Sequence, residues 1–195
     1  MQENKVIDSV RRWVESVVIG LNLCPFAKRE LVTDRVRFVE SSSTTQEQLL
    51  LELHGELERL CADASVETTL LIHPHVLQSF EDYNHFLNCT DDLLAEMELE
   101  GIFQIASFHP DYQFADTQTE DAENYTNRSP YPLLHILRED SLEEAIATYP
   151  DVDQIPVRNI ELMNSMGAQK MRSLFLSCVE STSGQGESFH PTPLS

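Results

Sequence analysis

"VETTLLIHPH" (66–75) decides how the rest of the chain is read. It is a short run of apolar and β-branched residues closed by a proline, so it reads as a buried strand that ends at His73-Pro74. A strand buried on both faces needs helices to cover it, and the flanking sequence offers them. On one side "TTQEQLLLELHGELERLCA" (44–62) carries Leu50, Leu53, Leu57 and Leu60 at helical spacing, with Thr44 and Glu47 placed as a capping box. On the other, "SFEDYNHFLNCTDDLLAEMELEG" (79–101) opens with Ser79 and Asp82 as a cap, stripes Tyr83, Leu87, Leu94 and Met97, and closes on Gly101.

Working outward, "VIDSVRRWVESVVIGLNL" (6–23) predicts an amphipathic helix from Lys5 to Leu21, and "RVRFVE" (35–40) a short strand. "IFQIASF" (102–108) is a third strand, and it too ends on His-Pro, at His109-Pro110. Periodicity is then lost through residues 111–131. Such a connection is much longer than the usual ~4 to 6 residues, and the span from Asp111 to Asn127 reads either as a lid or as disordered chain. "PLLHILRE" (132–139) is a fourth strand. Ser141 and Glu144 cap a helix that Pro150 stops, one or two further helices break near Gly167, and 180–195 is a polar, disordered tail. The expectation is a single layered α/β domain over residues 1–179, with about four strands under packed helices. Right-handed crossovers make the first three strands parallel, and the fourth, following without a helix, is free to run antiparallel. That order resembles a minimal thioredoxin-like topology, without the C-x-x-C motif that would imply redox chemistry.

The charge narrows the partners. Thirteen Lys and Arg against 33 Asp and Glu leave the 195-residue chain at −20, a field that repels phosphate backbones and anionic lipid, so neither nucleic acid nor a membrane surface is expected as a partner. No run approaches the ~18 apolar residues of a membrane helix and the N-terminus lacks a signal-like apolar core, which predicts a cytoplasmic protein. Cys24, Cys61, Cys89 and Cys178 are widely separated and imply neither a disulfide framework nor a cysteine-rich zinc site. Ten of the 13 basic residues are Arg, a bias towards bidentate contacts with carboxylate or phosphate.

In α/β sheets ligands bind outside the carboxyl ends of the strands, and here two of those ends carry His73-Pro74-His75 and His109-Pro110-Asp111. An antiparallel fourth strand would bring "NRSPYP", hence Asn127, Arg128, Ser129 and Tyr131, to the same edge. Two imidazoles, a guanidinium, an amide and hydroxyls suit an anion with His as general acid or base. The plainer reading is that each histidine satisfies a backbone carbonyl and that "NRSPYP" is a stiff turn with Arg128 in an ion pair. His73, His75 and His109, with Asp111, are a weaker metal set whose spacing matches no closed motif. His135 faces the side of Leu133 and Leu137 and reads as a hydrogen-bonded core residue. Cys24 could serve as a nucleophile beside a histidine, although the end of a helix disfavours thiolate and a buried apolar role suits a free cysteine better. Arg158 and Asn159 follow Pro156 at a helix start, which reads as an anion site or as ordinary helix-start chemistry. No Gly-rich phosphate loop, G-x-S-x-G elbow or H-E-x-x-H motif is present, so the sequence names no cofactor.

"LNLCPFA", "FHPDYQF", "NRSPYPLLHILRE" and "PVRNIELMNSMG" together resemble a bacterial family, domain of unknown function 1415, from about Val6 to about Cys178. The resemblance places Cys24, His109, Asn127, Arg128, Ser129, His135, Arg158 and Asn159 in signature segments and implies no reaction. The leading expectation is an enzyme acting on a small carboxylate or phosphate metabolite. In it Arg128 holds the anion, His109 is the acid or base, and His73 and Asn127 orient. The alternatives are a non-catalytic binding or regulatory protein with a basic protein partner, and a metal-dependent hydrolase or oxygenase.

Overall fold

The computed structural model describes residues 4–180. Helix α1 (Lys5–Trp13) continues as a π-helical stretch over Val14–Ile19, close to the single helix expected. A short helix α2 (Ala27–Val32), which the sequence reading did not foresee, leads into β1 (Val36–Glu40). There follow α3 (Gln46–Ala62), β2 (Thr68–Ile72), α4 (Phe80–Glu96) and β3 (Phe103–Phe108). The long connection contains a 3-10 turn at Ala122–Thr126 before β4 (Leu133–Arg138). Helices α5 (Glu139–Thr148), α6 (Ile155–Met166) and α7 (Ala168–Glu180) complete the chain, with Gly167 at φ 78° between the last two. The polar tail expected at 180–195 lies outside the described residues, apart from Glu180.

The four strands are ordered β1-β2-β4-β3. β1 and β2 form the parallel pair that a crossover helix requires, and β4 is inserted between β2 and β3, antiparallel to both. This corrects the expected parallel ladder of three strands, and with it the basis of the thioredoxin-like comparison. β3 runs in the direction of β1 and β2, but its neighbour is β4. The physical reason is that β4 follows β3 without a covering helix, so it can pair at once with β3 and offer its free edge to β2.

The pleat divides the core in two. Leu71, Leu134, Ile136 and Phe103 face Leu49, Leu53, Leu57 and Leu60 of α3 and Tyr83 and Phe86 of α4. Leu70, Ile72 and Leu133 face the other way, against Val10, Trp13 and Val17 of the first helix, Met163 of α6 and Met171 of α7. Both faces of β2 are therefore covered, as its unbroken apolar run demands. The caps are local variations on those expected. Thr45, not Thr44, caps α3 by accepting from the Gln48 N–H at 3.3 Å, while the Gln48 side chain reaches back to the Thr44 N–H at 2.9 Å. Ser79 caps α4 as read, and α4 ends at Glu96, short of Gly101. Ser141 lies inside α5, which starts two residues earlier without a side-chain cap. No helix among the described residues is long and apolar enough to cross a membrane.

Arg138 ties the end of the inserted strand to the covering layer. Its guanidinium donates to the carbonyls of Leu60 at 2.6 Å, Asp63 at 3.1 Å and Val66 at 3.1 Å, satisfying the open end of α3 and the turn into β2. Because Leu71 is wholly buried in the centre of the sheet, Leu71→Ala is expected to lower unfolding free energy by about 2 to 5 kcal/mol in urea titration. Leu51→Ala, on the exposed side of α3, is expected to change it by no more than ~0.5 kcal/mol.

Candidate functional site

His73 follows the last residue of β2 and His109 the last of β3, so both stand at the same edge of the sheet, on either side of the start of β4. The backbone holds them there. The His73 N–H donates to the Pro132 carbonyl at 3.0 Å and the His109 N–H to the Asn127 carbonyl at 3.3 Å. Both side chains are fully buried. Between them stands Tyr83 of α4, its ring stacked on His73 at 5.8 Å and tilted against His109 at 5.2 Å. The Tyr83 hydroxyl donates to the Leu133 carbonyl at 2.9 Å and accepts from the Phe108 N–H at 3.0 Å, bridging β4 and β3 where their ladder ends.

The two imidazoles hold one loop. His73 Nδ1 lies 3.0 Å from the Val76 carbonyl and His109 Nε2 lies 3.2 Å from the Leu77 carbonyl, contacts that require the ring nitrogen to carry the proton in each case. His109 Nδ1 is then an acceptor, and it takes the Asp111 N–H at 3.0 Å. A donor at Nε2 and an acceptor at Nδ1 make His109 a neutral ring. Burial pushes the His73 pKa down to about 4, with the Val76 hydrogen bond opposing and His109 nearby adding to the shift. Burial lowers His109 as well, against the Leu77 bond and the Asp111 charge. Tyr83 is raised by burial, so its phenol stays protonated. Leu77 adopts φ 57°, a left-handed conformation that costs a non-glycine residue about 1 to 2 kcal/mol, and the pair of ring donors holds it there. One polar atom of the cluster, His73 Nε2, is buried without a hydrogen-bond partner.

Arg128 reaches the same edge and is nearly buried. Its Nε donates to the Tyr112 carbonyl at 3.1 Å and its Nη2 to the Thr119 carbonyl at 2.7 Å, with the guanidinium 4.7 Å over the Tyr125 ring. Asn124 completes this internal frame. Its side-chain oxygen accepts from the Phe114 N–H and the Thr117 hydroxyl, and its amide donates to the Gln118 carbonyl. The connection from Asp111 to Asn127 is thus an ordered loop folded around two polar side chains. Asn127 donates to the Ser107 carbonyl at 3.2 Å, Ser129 to the Tyr131 carbonyl at 2.6 Å, and Tyr131 is packed at the margin of the second core.

The remaining candidates lie elsewhere. His75 is exposed although His73, two residues before it, is buried. Among the described residues no three His, Cys, Asp or Glu side chains converge in a way that could hold a metal ion. Cys24 belongs to the loop between the first helix and α2, and no hydrogen bond or ring contact joins it to the His73–His109 cluster. Burial raises its thiol pKa, opposed by the Phe26 and Ala27 N–H groups. Asn159 donates to the Leu23 carbonyl at 2.8 Å and Arg158 is exposed near the Gln154 carbonyl, so neither joins the sheet-edge cluster. His135 faces the α1 side as read. The Thr68 hydroxyl donates to the Ile136 carbonyl at 2.6 Å, which leaves its lone pair to accept from His135 Nε2–H at 2.7 Å, and burial lowers this histidine to about 4.

Residues 5–173 match the family model described as "Protein of unknown function (DUF1415)". The chain belongs to the DUF1415 family. No curated protein and no solved structure matches it. In this DUF1415 member, the signature segments meet in two places: "FHPDYQF" with "NRSPYP" at the sheet edge, and "LNLCPFA" with "PVRNIEL" through the Asn159 bond to Leu23. Sequence reading missed Tyr83 and Asn124. In the sequence Tyr83 stands as one of an apolar stripe, and its signal is that a buried phenol needs a partner. Asn124 stood in an aperiodic run with nothing to distinguish it.

Two outcomes follow from this geometry. His73 and His135 are neutral when folded and titrate near pH 6.5 when unfolded, so the unfolded chain takes up protons first as pH falls. Their contribution is complete above pH ~6.5 and is lost towards pH ~4, about 3 kcal/mol for each group. Urea unfolding at pH 7.0, 5.5 and 4.5 should show that decline, and His73→Gln should make it shallower. Separately, Arg128→Ala should leave the sheet amides protected while amide exchange rises in residues 112–121, as measured by hydrogen–deuterium exchange.

Proposed function

We propose that this protein is a non-catalytic binding or regulatory protein whose acidic surface meets a basic protein partner, with the sheet-edge histidines serving the fold. The observation that carries this reading is the internal engagement of the groups best suited to catalysis. His109 uses both ring nitrogens on backbone groups, and Arg128 uses Nε and Nη2 on two carbonyls. Backbone carbonyls satisfy a guanidinium without neutralising it, but they leave less of it to grip an anion.

The arginine bias is absorbed in the same way. Arg37 meets Glu56 bidentately at 2.8 and 3.1 Å, Arg35 meets Glu67 at 2.6 Å, Arg12 donates to the Cys178 carbonyl and Arg11 lies over the Phe38 ring. Six of the 13 cations, Arg11, Arg12, Arg35, Arg37, Arg128 and Arg138, are held against the chain's own groups, and the 33 carboxylates leave the chain at −20. Such a field accelerates encounter with a cationic partner and repels an anionic one.

A second reading, the enzyme acting on a small anionic metabolite, is favoured by His73 Nε2, a ring nitrogen of the sheet-edge cluster that is buried without a partner. In that reading His109 is the acid or base and Arg128 holds the anion, which requires loop 74–79 to open and the Tyr112 and Thr119 carbonyls to release Arg128. Thermal unfolding separates the two. Inorganic phosphate and citrate at ~10 mM are expected to leave Tm unchanged, while a lysine-rich amphipathic peptide raises it by several degrees. A rise with phosphate or citrate that disappears in Arg128→Lys would replace the binding reading with the metabolite one.

A further inference from the structure

Residues 139–161 contribute no side chain to either core cluster. The stretch is not short of apolar residues: Leu142, Ala145, Ile146, Tyr149, Val152, Ile155, Val157 and Ile160 recur through it. Helix α5 has no buried residue along its whole length, and α6 buries only Met163, beyond this segment. Ile146 is 38% exposed, Val157 46% and Ile160 40%, while Val157 and Ile160, three apart on α6, share a face. Leu142, Ala145, Tyr149, Val152 and Ile155 are partly covered, while Ile146, Val157 and Ile160 stay exposed, and apolar side chains left uncovered in this way present a face suited to a partner.

Residues 23–26 touch both helices of this segment. The Tyr149 ring packs edge-on against Phe26 at 5.4 Å, and the Asn159 amide donates to the Leu23 carbonyl at 2.8 Å, so residues 23–26 set the end of α5 beside the start of α6. Ile146 lies one turn before Tyr149, and Val157 and Ile160 flank Asn159. The surrounding charge is one-sided. Residues 139–161 carry seven acidic side chains against Arg158 alone. Of the seven, all but Glu139 are exposed.

We infer that the α5–α6 face is the docking surface for a basic amphipathic segment of a protein partner, whose apolar side chains cover Ile146, Val157 and Ile160 and whose lysines or arginines meet the acidic rim. The inference rests on the binding reading above and gives it a place on the molecule. Charge complementarity selects this occupant over a second copy of the chain, since two such rims at a net −20 each would repel.

The test uses the full chain and a fluorescein-labelled helical peptide of leucines and lysines, followed by anisotropy at 150 mM salt, with a glutamate-for-lysine peptide beside it. Val157→Ser/Ile160→Ser changes no charge and removes exposed groups only, so the fold is retained. A matched control, Val32→Ser/Leu51→Ser, removes exposed apolar groups elsewhere. Expected are saturable binding of the lysine peptide, an about tenfold weaker Kd in the α6 variant, a change of less than about twofold in the control, and no binding of the glutamate peptide. Equal Kd values for wild type and the α6 variant would overturn the assignment of this face while leaving a basic partner in place. No binding of the lysine peptide to wild type would remove both. A wild-type dimer in light scattering that the α6 variant dissociates would show a second copy to be the occupant, and overturn the proposal.

Discussion

Two imidazole N–H groups donate to successive backbone carbonyls, those of Val76 and Leu77, and on this pair of bonds depends how β2, α4 and β3 meet. The residues involved come from the ends of two strands that are not neighbours. β4 separates them, and the Tyr83 hydroxyl closes the gap by bonding to both β4 and β3. The neutral form suits both rings, because a protonated His109 would lose its acceptor for the Asp111 N–H and a protonated His73 would place a charge in the core. Burial depresses both pKa values, so the environment that needs the neutral form also maintains it.

The same economy runs through the polar interior. Arg128 and Asn124 organise a long loop from within, Arg138 closes the end of α3, and Arg37 joins β1 to Glu56 of α3. Each of these three arginines is engaged by the chain's own carbonyls or carboxylates, and over the whole chain 33 carboxylates outnumber 13 cations. Against that background the α5–α6 segment stands apart, since it carries apolar side chains that the two cores do not use. Function on this view lies in surface chemistry, and the histidine cluster belongs to the scaffold.

Much of the fold could be read from residues 66–75 outward, because an unbroken apolar strand requires helices on both faces and their stripes were evident. The insertion of β4 was not readable. "LLHILR" is apolar on both faces, as any central strand would be, and periodicity says nothing about which strand lies alongside. Helix α2 has no sequence signature because "AKRELV" is short, charged and buries no residue. The cap of α3 slipped by one position because Thr44 and Thr45, followed by Glu47 and Gln48, offer the same chemistry twice. The two strand-ending histidines do share one edge of the sheet, but their partners were beyond reach of the sequence: a carbonyl acceptor carries no residue signature. Arg128 likewise gave no sign that Tyr112 and Thr119 would present their carbonyls to it.

Long-range proton–nitrogen correlation of the histidine side chains at pH 7 measures the central interaction directly. Loop pinning by neutral rings predicts that His73 carries its proton on Nδ1 and His109 on Nε2, each in a single tautomer and both protected from solvent exchange. A doubly protonated ring at either position, the opposite tautomer, or rapid averaging between the two would contradict it, and would return these histidines to the role of reactive groups.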